Sequence, residues 1–427
     1  MSILNAMYAG VSGLSAESDA LSIVGDNVSN TNTIGFKRSR AQFETQLGGA
    51  VGVGDGAGVR MARSQQIFAQ GTLQTTGQAT DLALSGDGFF VVKGNIGGAS
   101  GQYYTRAGEL SVRNDGALVN PAGMAVQGYK AAPDGSYSSS LSDIVLPNAA
   151  LPPHATAKMT VTANLDATSV PPAAPWDPQN PGATSNLATS MTTYDSLGNA
   201  HTVDVYFRNT APGQWEYHAL AKGAEVVGGT PGQNSEISTG TMAFTTNGAM
   251  QAVTPTGGGT VSFNGATPSQ AIDLDFGKSI AAGGTGLEGS TQFGSPSAIS
   301  GQSQDGFTSG DLSSVKVDGN GVVSGVYSNG QTVAAGKVAI AKFRANEGLA
   351  KTGQNLWAAT NVSGEAALGV VGTGGRGSVV SGALEQSNVD VAEQFVDLIT
   401  HQRAFQANSK VITTADQMLQ ELMTIKQ

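Results

Sequence analysis

The sequence predicts a multidomain α+β protein in which two terminal helices enclose a long stretch of β structure. Three observations lead to this prediction. Apolar residues recur at heptad spacing at both ends, the middle is a succession of short alternating runs, and turns such as Asn-Asp-Gly and Pro-Ala-Gly separate those runs. A chain of 427 residues is also too long for one ordinary core, so several domains are expected.

The first predicted element is an amphipathic N-terminal helix of about seven turns. Its apolar positions follow a heptad whose alternation fails only at Ser18 and Gly25. The stripe consists of Leu4, Met7, Val11, Leu14, Leu21 and Val28. We expect these side chains to be buried against another surface.

The last forty residues predict a second amphipathic helix. Polar residues at Gln402, Ser409 and Asp416 interrupt its apolar seam, an arrangement typical of positions that fix register. The seam consists of Val391, Phe395, Leu398, Phe405, Ile412, Leu419 and Met423, and Val396, Ile399, Val411, Met418, Leu422 and Ile425 widen it. Pattern alone leaves two interpretations open: a helical hairpin docked on the core of the same chain, or burial of both stripes against other copies.

Between the helices, the sequence predicts β structure in two blocks. The first contains "DLALSGDGFFVVKG" and a stretch with hairpin turns, "YYTRAGELSVRNDGALVNPAGMAVQGYK". Residues 147–185, rich in Pro, Ala and Asn, predict a passage to a second block. From residue 310 onward the pattern returns to that of the first block, so the order of elements favours one β domain inserted into another.

Composition excludes several classes of function. The net charge is -10, which argues against nucleic acid as a partner, and the absence of cysteine excludes disulfides, thiolate nucleophiles and Cys-ligated zinc. We interpret the local cluster Lys37, Arg38 and Arg40 as a solvated edge or a contact to acidic neighbours rather than an anion site. No apolar run is long enough to span a membrane, and "MSILNAMYAGVSGLSAESDAL" does not resemble a cleavable signal peptide.

No pattern of catalytic or metal-binding residues stands out. The histidines, His154, His201, His218 and His401, do not fall in HxxxH or HExxH spacing, and we expect His401 on the polar face of the last helix. No GxSxG is present, and the glycine-rich segments lack the Lys-Ser/Thr of a phosphate loop. We therefore expect no enzyme activity, no cofactor and no metal, and we interpret the chain as a structural protein.

Long motifs at both ends resemble one family. "NVSNTNTIGFKRSRAQFE" is similar to the N-terminal signature of the flagellar rod, hook and hook-junction proteins, with Asn27, Asn30, Thr31, Gly35 and Phe36 as its signature residues. "LALSGDGFFVVKG" and "YTRAGELSVRNDGALVNPAGMAVQGY" resemble the family's first β domain. "GLAKTGQNLWAATNVSGEA" and "SGALEQSNVDVAEQFVDLITHQRAFQANSKVITTADQMLQEL" resemble its second half and closing helix. The resemblance covers roughly residues 1–150 and 306–427.

The resemblance implies how the chain is divided into domains. Residues 1–30 and 385–427 would form a coiled-coil-like helical inner domain that lines a tube, and residues 31–76 an extended connector. Residues 77–150 and 306–384 would form a discontinuous, mainly β middle domain, and residues 151–305 an inserted all-β outer domain. In the signature loop, the side chains of Asn, Ser and Thr would compete for the backbone hydrogen bonds of the helix. Gly35 would permit a backbone conformation that a residue with a Cβ disfavours, and Phe36 would anchor the chain where it leaves the loop.

The resemblance also implies a function. Length and the single inserted domain favour the hook members of the family: self-assembling structural subunits that form a flexible helical tube between motor and filament. Expected partners are other copies, a rod protein, a hook-filament junction protein, the hook cap and the export apparatus, with neither nucleic acid nor membrane insertion. The expected location is the extracellular hook, reached without a cleavable signal. Alternatives are a distal rod or other axial protein, or a secreted carbohydrate-binding β protein.

Overall fold

The computed structural model of the chain describes residues 3–48, 55–132, 134–147 and 150–425. These residues fall into two compact units. The first unit comprises Met1–Asn148, Ser313–Val326 and Thr332–Gln427, and the second comprises Ala149–Leu312 and Tyr327–Gln331. The second unit therefore interrupts the sequence of the first, and the first is built from both ends of the chain.

Long helices stand at both ends of the described chain, as the heptad patterns predict. The α-helices are α1 (Ile3–Ser29), α2 (Pro181–Thr184) and α3 (Val391–Ile425), and two single 3-10 turns span Gly223–Glu225 and Asn346–Gly348. Nearly all the remaining regular structure is β. The chain is thus mainly β with one long helix at each end.

Ten strands precede the second unit along the described chain. They are β1 (Ser39–Gly48), β2 (Asp55–Gln66), β3 (Leu73–Thr75), β4 (Leu82–Ser85), β5 (Phe89–Ile96), β6 (Ala99–Thr105), β7 (Ser111–Val112), β8 (Leu118–Val119), β9 (Ala125–Ala131) and β10 (Tyr137–Asp143).

Ten strands belong to the second unit. They are β11 (Lys158–Asn164), β12 (Leu187–Tyr194), β13 (Ala200–Ala211), β14 (Gln214–Lys222), β15 (Asn234–Phe244), β16 (Met250–Gly258), β17 (Thr260–Val261), β18 (Gln270–Ala271), β19 (Asp273–Asp275) and β20 (Ala298–Gln304).

The chain then returns to the first unit. Its later strands are β21 (Leu312–Val317), β22 (Val322–Tyr327), β23 (Thr332–Lys342), β24 (Ala350–Gly353), β25 (Leu356–Ala358), β26 (Ala367–Val370), β27 (Ser378–Ser381) and β28 (Ala383–Glu385).

The first unit contains a large antiparallel sheet that draws strands from both sides of the interruption. Its path is β21-β22-β23-β9-β5-β6-β25-β24; outside this path, β8 and β10 also pair with β9, β26 pairs with β23, and β7 pairs with β8. β23 connects the two halves of the sequence, because Lys337 pairs with Tyr129 of β9 and Ile340 pairs with Phe90 of β5. The fully buried Phe90 and Ile340 belong to the same apolar cluster. Neither half of the sequence could close this core without the other.

The segment after α1 differs from the predicted extended connector. β1 and β2 pair as an antiparallel hairpin, with Ser39 opposite Gln66 and Glu44 opposite Arg60. The hairpin packs on α1, since a Cβ built at Gly58 would lie 1.9 Å from the hydroxyl of Ser12, and that hydroxyl also accepts a hydrogen bond from the amide of Val59. The prediction of one extended connector over residues 31–76 is therefore wrong for residues 39–66. The physical reason for the difference is strand pairing, which satisfies the hydrogen bonds of backbone groups that would otherwise be exposed to solvent in an extended segment.

The second unit is built around a five-stranded antiparallel sheet. Its strands follow the order β12-β13-β14-β15-β16, and β11 lies between β19 and β20 in a smaller three-stranded sheet. Phe207, Trp215 and Tyr217 are buried in a single core, and Phe276 packs on Phe207 and Tyr217 at ring-centroid distances of 5.7 and 4.7 Å. Aromatic residues are few in this chain, and this unit concentrates several of them in its core.

We expect Phe207→Ala to destabilise the second unit by about 3–5 kcal/mol, because the substitution empties a fully buried ring site. Urea unfolding of the full chain measures the loss. The matched control is Phe293→Ala, which truncates a ring of the same unit that is 44% exposed, and which we expect to cost less than about 1 kcal/mol. Equal losses for the two variants would contradict the core described for this unit.

Candidate assembly surface on the terminal helices

The α1 helix ends in a loop whose side chains replace the missing helical hydrogen bonds. Ser29 Oγ donates to the carbonyl of Gly25 at 2.8 Å, and Asn30 Nδ2 donates to the carbonyl of Asp26 at 2.8 Å. Thr31 Oγ1 donates to the carbonyl of Val28, again at 2.8 Å. These bonds confirm that the polar run competes for the last carbonyls of the helix, which is why the helix ends without proline.

Asn27 joins the end of α1 to two other elements. Its amide group bonds both backbone groups of Ser39, accepting from the amide at 2.9 Å and donating to the carbonyl at 2.7 Å. Its Nδ2 also donates to Gln394 Oε1 of α3 at 2.7 Å. Because Asn27 is 1% exposed, these buried bonds fix the start of β1 and the start of α3 against the end of α1.

Gly35 makes the sharp turn that the signature loop predicts. Its φ is +68°, and a Cβ at this position would lie 2.5 Å from the amide nitrogen of Ala107. Its own amide donates to the carbonyl of Glu385 at 2.7 Å. Phe36, the next residue, is buried, and Lys351 Nζ lies 5.0 Å from the centre of its ring. Only glycine allows the loop to approach both neighbouring backbones this closely.

A buried ionic clamp, formed by Lys37, Arg106 and Glu385, lies directly after this turn. Lys37 Nζ is 2.5 Å from one carboxylate oxygen of Glu385, and Arg106 Nη1 is 3.2 Å from the other. Lys37 also donates to the carbonyl of Ala69, and the amide of Gly71 donates to Glu385. The clamp thus joins the signature loop, the chain after β2, the large sheet and the last strand.

Burial dominates the electrostatics of the clamp. It lowers the pKa of Lys37 and the pKa of Arg106, and the negative charge of Glu385 opposes the shift in both cases. The expectation that Lys37 belongs to a solvated edge is therefore wrong. The alternative, contact to acidic neighbours, is confirmed for Lys37 and for Arg38, which pairs with Glu393, whereas Arg40 is exposed and bonds Gln65.

The antiparallel helices α1 and α3 meet along what we call the inner seam. On α1 the seam includes the small residues Gly10, Gly13, Ala16 and Ala20, and on α3 it includes the polar residues Gln394, His401 and Asn408 and the apolar Ile412, which lies against Gly10. His401 Nδ1 is 2.6 Å from Glu17 Oε2, and a Cβ at Gly13 would lie 2.6 Å from the amide group of Asn408. Small residues bring the helices close, and the polar residues set their register.

His401 lies among the polar residues of α3, and this face is turned toward α1, where Glu17 offers a carboxylate partner to the half-buried imidazole. The inner seam corrects the expectation that Gln402, Ser409 and Asp416 fix the register: they are exposed, and the more buried residues stand one position earlier, at His401, Asn408 and Ala415.

The predicted apolar stripes lie mostly outside the inner seam. On α1, Val11 is exposed and Met7, Leu14, Leu21 and Val28 are half-buried, while the side chain of Leu4 lies outside the described part of the chain. On α3, Phe395, Phe405 and Met423 are exposed, and Leu398, Ile412 and Leu419 are half-buried. The structure therefore leaves a large share of both stripes accessible.

A group of exposed apolar side chains lies within the first three turns of α3. We call Phe395, Val396 and Ile399 the outer patch; their exposed fractions are 51%, 64% and 49%. Arg403 follows them one turn later and is also exposed. Neighbouring apolar side chains that stay in water are typical of a surface that another molecule covers.

Within the described residues, the structure brings together no alternative chemistry. No group of three or more His, Asp or Glu side chains is placed to hold a metal ion. Among the described helices, none combines the length and the apolar character needed to cross a membrane.

Sequence reasoning missed the partners of the signature loop. Glu385, Arg106 and Gln394 are far from it in sequence, and no local pattern links them to it. A signal did exist for the inner seam, because Gly10, Gly13, Ala16 and Ala20 recur at spacings of three and four residues, which is typical of a face that another helix approaches closely.

Family models match the chain from its first helix to its last. Their descriptions and the residues matched are Flagella basal body rod protein (7–37), Flagellar hook protein FlgE/F/G D1 domain (83–164), Flagellar basal body protein FlaE D2 domain (164–307) and Flagellar basal body rod FlgEFG protein C-terminal (380–425).

Curated relatives named flagellar hook protein FlgE match nearly the whole chain. The protein of Salmonella typhimurium is 34% identical over 420 residues, which cover 97% of this chain and 98% of the relative. That of Borreliella burgdorferi is 34% identical over 465 residues, covering 99% and 100%. That of Brucella suis is 32% identical over 432 residues, covering all of both chains (100% and 100%).

A solved structure shares the fold. The crystal structure of Helicobacter pylori flagellar hook protein FlgE2 aligns with a TM-score of 0.53 at 16% identity, covering 73% of this chain and 100% of that chain.

Removing the negative charge from the clamp is expected to destabilise the first unit strongly. Glu385→Gln leaves the charges of Lys37 and Arg106 buried without a counter-ion, a change that costs about 3–5 kcal/mol. The matched control is Glu393→Gln, which removes the half-exposed partner of Arg38 and should cost less than about 1 kcal/mol. Urea unfolding of both variants measures the difference, and a loss at Glu385 no larger than that at Glu393 would refute the role of the clamp.

Gly35→Ala tests the turn itself. Because the new Cβ meets the backbone of Ala107 as well as requiring a left-handed φ, we expect a loss of about 3 kcal/mol. Gly77→Ala is the control, since Gly77 has a φ of +78° with open space around it, and only the conformational cost of about 1 kcal/mol applies there. Thermal unfolding of the two variants separates the two contributions, and equal shifts would mean that close approach is unimportant at Gly35.

Proposed function

The chain belongs to the flagellar hook protein family and is a structural subunit of the flagellar hook rather than an enzyme, and from this we propose that it assembles through the outer surfaces of α1 and α3 into a flexible helical tube. The single observation that carries the proposal is the outer patch. The inner seam consists largely of small and polar residues and includes Ile412, so the exposed apolar residues of the outer patch are left for other copies.

The energetics support burial of the outer patch by a neighbouring copy. Full burial of one large aliphatic or aromatic side chain is worth about 1.5–3 kcal/mol, and roughly half of each patch residue is still exposed. Each side chain would therefore contribute on the order of 1 kcal/mol when a neighbour covers it. The same contact, repeated from copy to copy, builds a helical tube. The terminal helices then form a coiled-coil-like wall of that tube.

The predicted layers of the tube follow from this arrangement. Residues 1–30 and 385–427 form the inner domain, residues 77–150 and 306–384 the middle domain, and residues 151–305 the outer domain. The hairpin β1–β2 packs on α1 and so accompanies the inner domain. Charged residues make up only 13% of the chain, which suits β layers whose contacts are individually weak and can slide when the tube bends.

The partners and location come from the resemblance and from the family. The tube joins a rod protein at its proximal end and a hook-filament junction protein at its distal end, and the hook cap and the flagellar export apparatus act during assembly. The subunit reaches the outside of the cell through that apparatus without a cleavable signal, and it couples torque from the motor to the filament.

The alternatives gain no support from the structure. Relatives aligned over nearly the full length are named as hook proteins, which favours the hook over the distal rod. In the second unit, Trp176 is stacked on His218 at a ring-centroid distance of 3.9 Å. This face of the indole is therefore occupied, so it offers no free platform on which a sugar ring could stack.

Placing a carboxylate in the outer patch tests the proposal. We expect Phe395→Asp to abolish tube formation by the purified full chain, because a charge would have to be buried at each contact, while circular dichroism of the monomer stays unchanged. Phe293→Asp is the matched control in the second unit, where Phe293 is 44% exposed, and it should still form tubes. Electron microscopy and sedimentation report assembly. Tubes of normal yield from Phe395→Asp would overturn the proposal.

A further inference from the structure

The two terminal helices carry charges of opposite sign that find no partner within the described chain. α1 contains Glu17, Asp19 and Asp26 and no Lys or Arg. Glu17 pairs with His401, and Asp26 pairs with Lys351 at 3.1 Å. Asp19 is exposed and, among the described residues, has neither an ion pair nor a hydrogen bond through its side chain.

The cations of α3 are in the same situation. Arg403 and Lys410 are the only Lys or Arg residues of the helix. Both are exposed, and neither side chain has a partner within the described residues. Arg403 stands directly after the outer patch, at the end of the surface that we expect a neighbouring copy to cover.

The register of the inner seam places Asp19 and Arg403 at nearly the same height. Glu17 faces His401 and Asn27 faces Gln394, so the helices run antiparallel with a fixed offset. At 1.5 Å per residue, Asp19 lies within about 6 Å of Arg403 along the helix axis. The copies of a helical tube share one orientation. The α1 of one copy and the α3 of the next are therefore also antiparallel, and pairing of these two residues requires that the two copies be displaced by no more than about 6 Å along the helix axis.

We propose that Asp19 of each copy forms an ion pair with Arg403 of an adjacent copy, at the edge of the contact that covers the outer patch. This inference rests on the proposed function and names its partner surface: the side of α1 that carries Asp19 in a second copy of the chain. The Arg fork can bind both carboxylate oxygens, so the pair fixes how far one copy slides past the next. The apolar contact stabilises the association of two copies but tolerates small displacements, whereas the ion pair fixes the position of one copy relative to the next.

Charge reversal with rescue tests the pair in the full-length chain. The variants are Asp19→Arg, Arg403→Asp and the double variant, and the measured quantity is the critical concentration for tube formation, obtained by sedimentation and checked by electron microscopy. We expect each single variant to raise the critical concentration by about tenfold, equivalent to about 1.4 kcal/mol per added subunit. The double variant should return to within about threefold of the unaltered chain, because the pair is restored with its charges exchanged.

Two controls carry the same changes in net charge. Asp311→Arg and Lys316→Asp alter exposed residues outside the terminal helices, and both should assemble at the unaltered critical concentration. Circular dichroism and thermal unfolding of each monomer confirm that the variants fold. Single reversals that assemble normally, or a double variant no better than either single one, would overturn the ion pair.

The result also separates this inference from the proposed function. If Phe395→Asp blocks assembly and the reversals have no effect, the terminal helices form the contact and the ion pair is wrong. If none of these variants changes assembly, the proposed contact through the terminal helices fails as well.

Discussion

The buried carboxylate of Glu385 is the constraint on which the first unit depends. It lies at the end of the last strand, six residues before the first residue of α3, and it binds Lys37 just after the signature loop and Arg106 directly after β6 of the large sheet. The three charged groups are buried away from water, so their positions must be fixed. Moving any of the three side chains would leave a buried charge without its partner. The clamp therefore holds the beginning and the end of the chain at one place, and the two terminal helices leave that place side by side.

The inner seam follows from this joint. Asn27 fixes the end of α1 to Gln394 at the start of α3, so the relative position of the helices is set before any apolar packing is considered. Gly10 and Gly13 then let α3 approach the backbone of α1 closely, and the side chains that face these two glycines are Ile412 and Asn408. Phe395, Val396 and Ile399 are exposed away from the seam. The pair of helices therefore leaves much of its apolar surface outside, whereas an ordinary soluble hairpin hides it inside.

Sequence reasoning located the helices and the loop because these depend on local chemistry. Heptad spacing predicts α1 and α3, and the Asn, Ser and Thr run predicts the end of α1, since each residue acts on carbonyls three or four positions away. The inner seam was missed for a geometric reason. The α1 stripe lies beside the seam rather than in it, so Val11 is exposed and Val28 is only half-buried. The burial of Glu385 depends on partners hundreds of residues away, which no local pattern records.

Polar and apolar residues have different roles in the helix pair. Polar contacts between α1 and α3 set the register of the two helices, and exposed apolar residues on the outer surfaces are the ones that we propose other copies cover. Polar contacts such as Glu17–His401 and Asn27–Gln394 depend on geometry, so they define one register even where they add little net free energy. Apolar contacts are tolerant of small displacements, because their strength follows buried area rather than direction. A tube that bends must keep each subunit rigid while its neighbours move by small amounts. In the tube that we propose, the rigid seam within each subunit and tolerant apolar surfaces between subunits would meet that mechanical requirement.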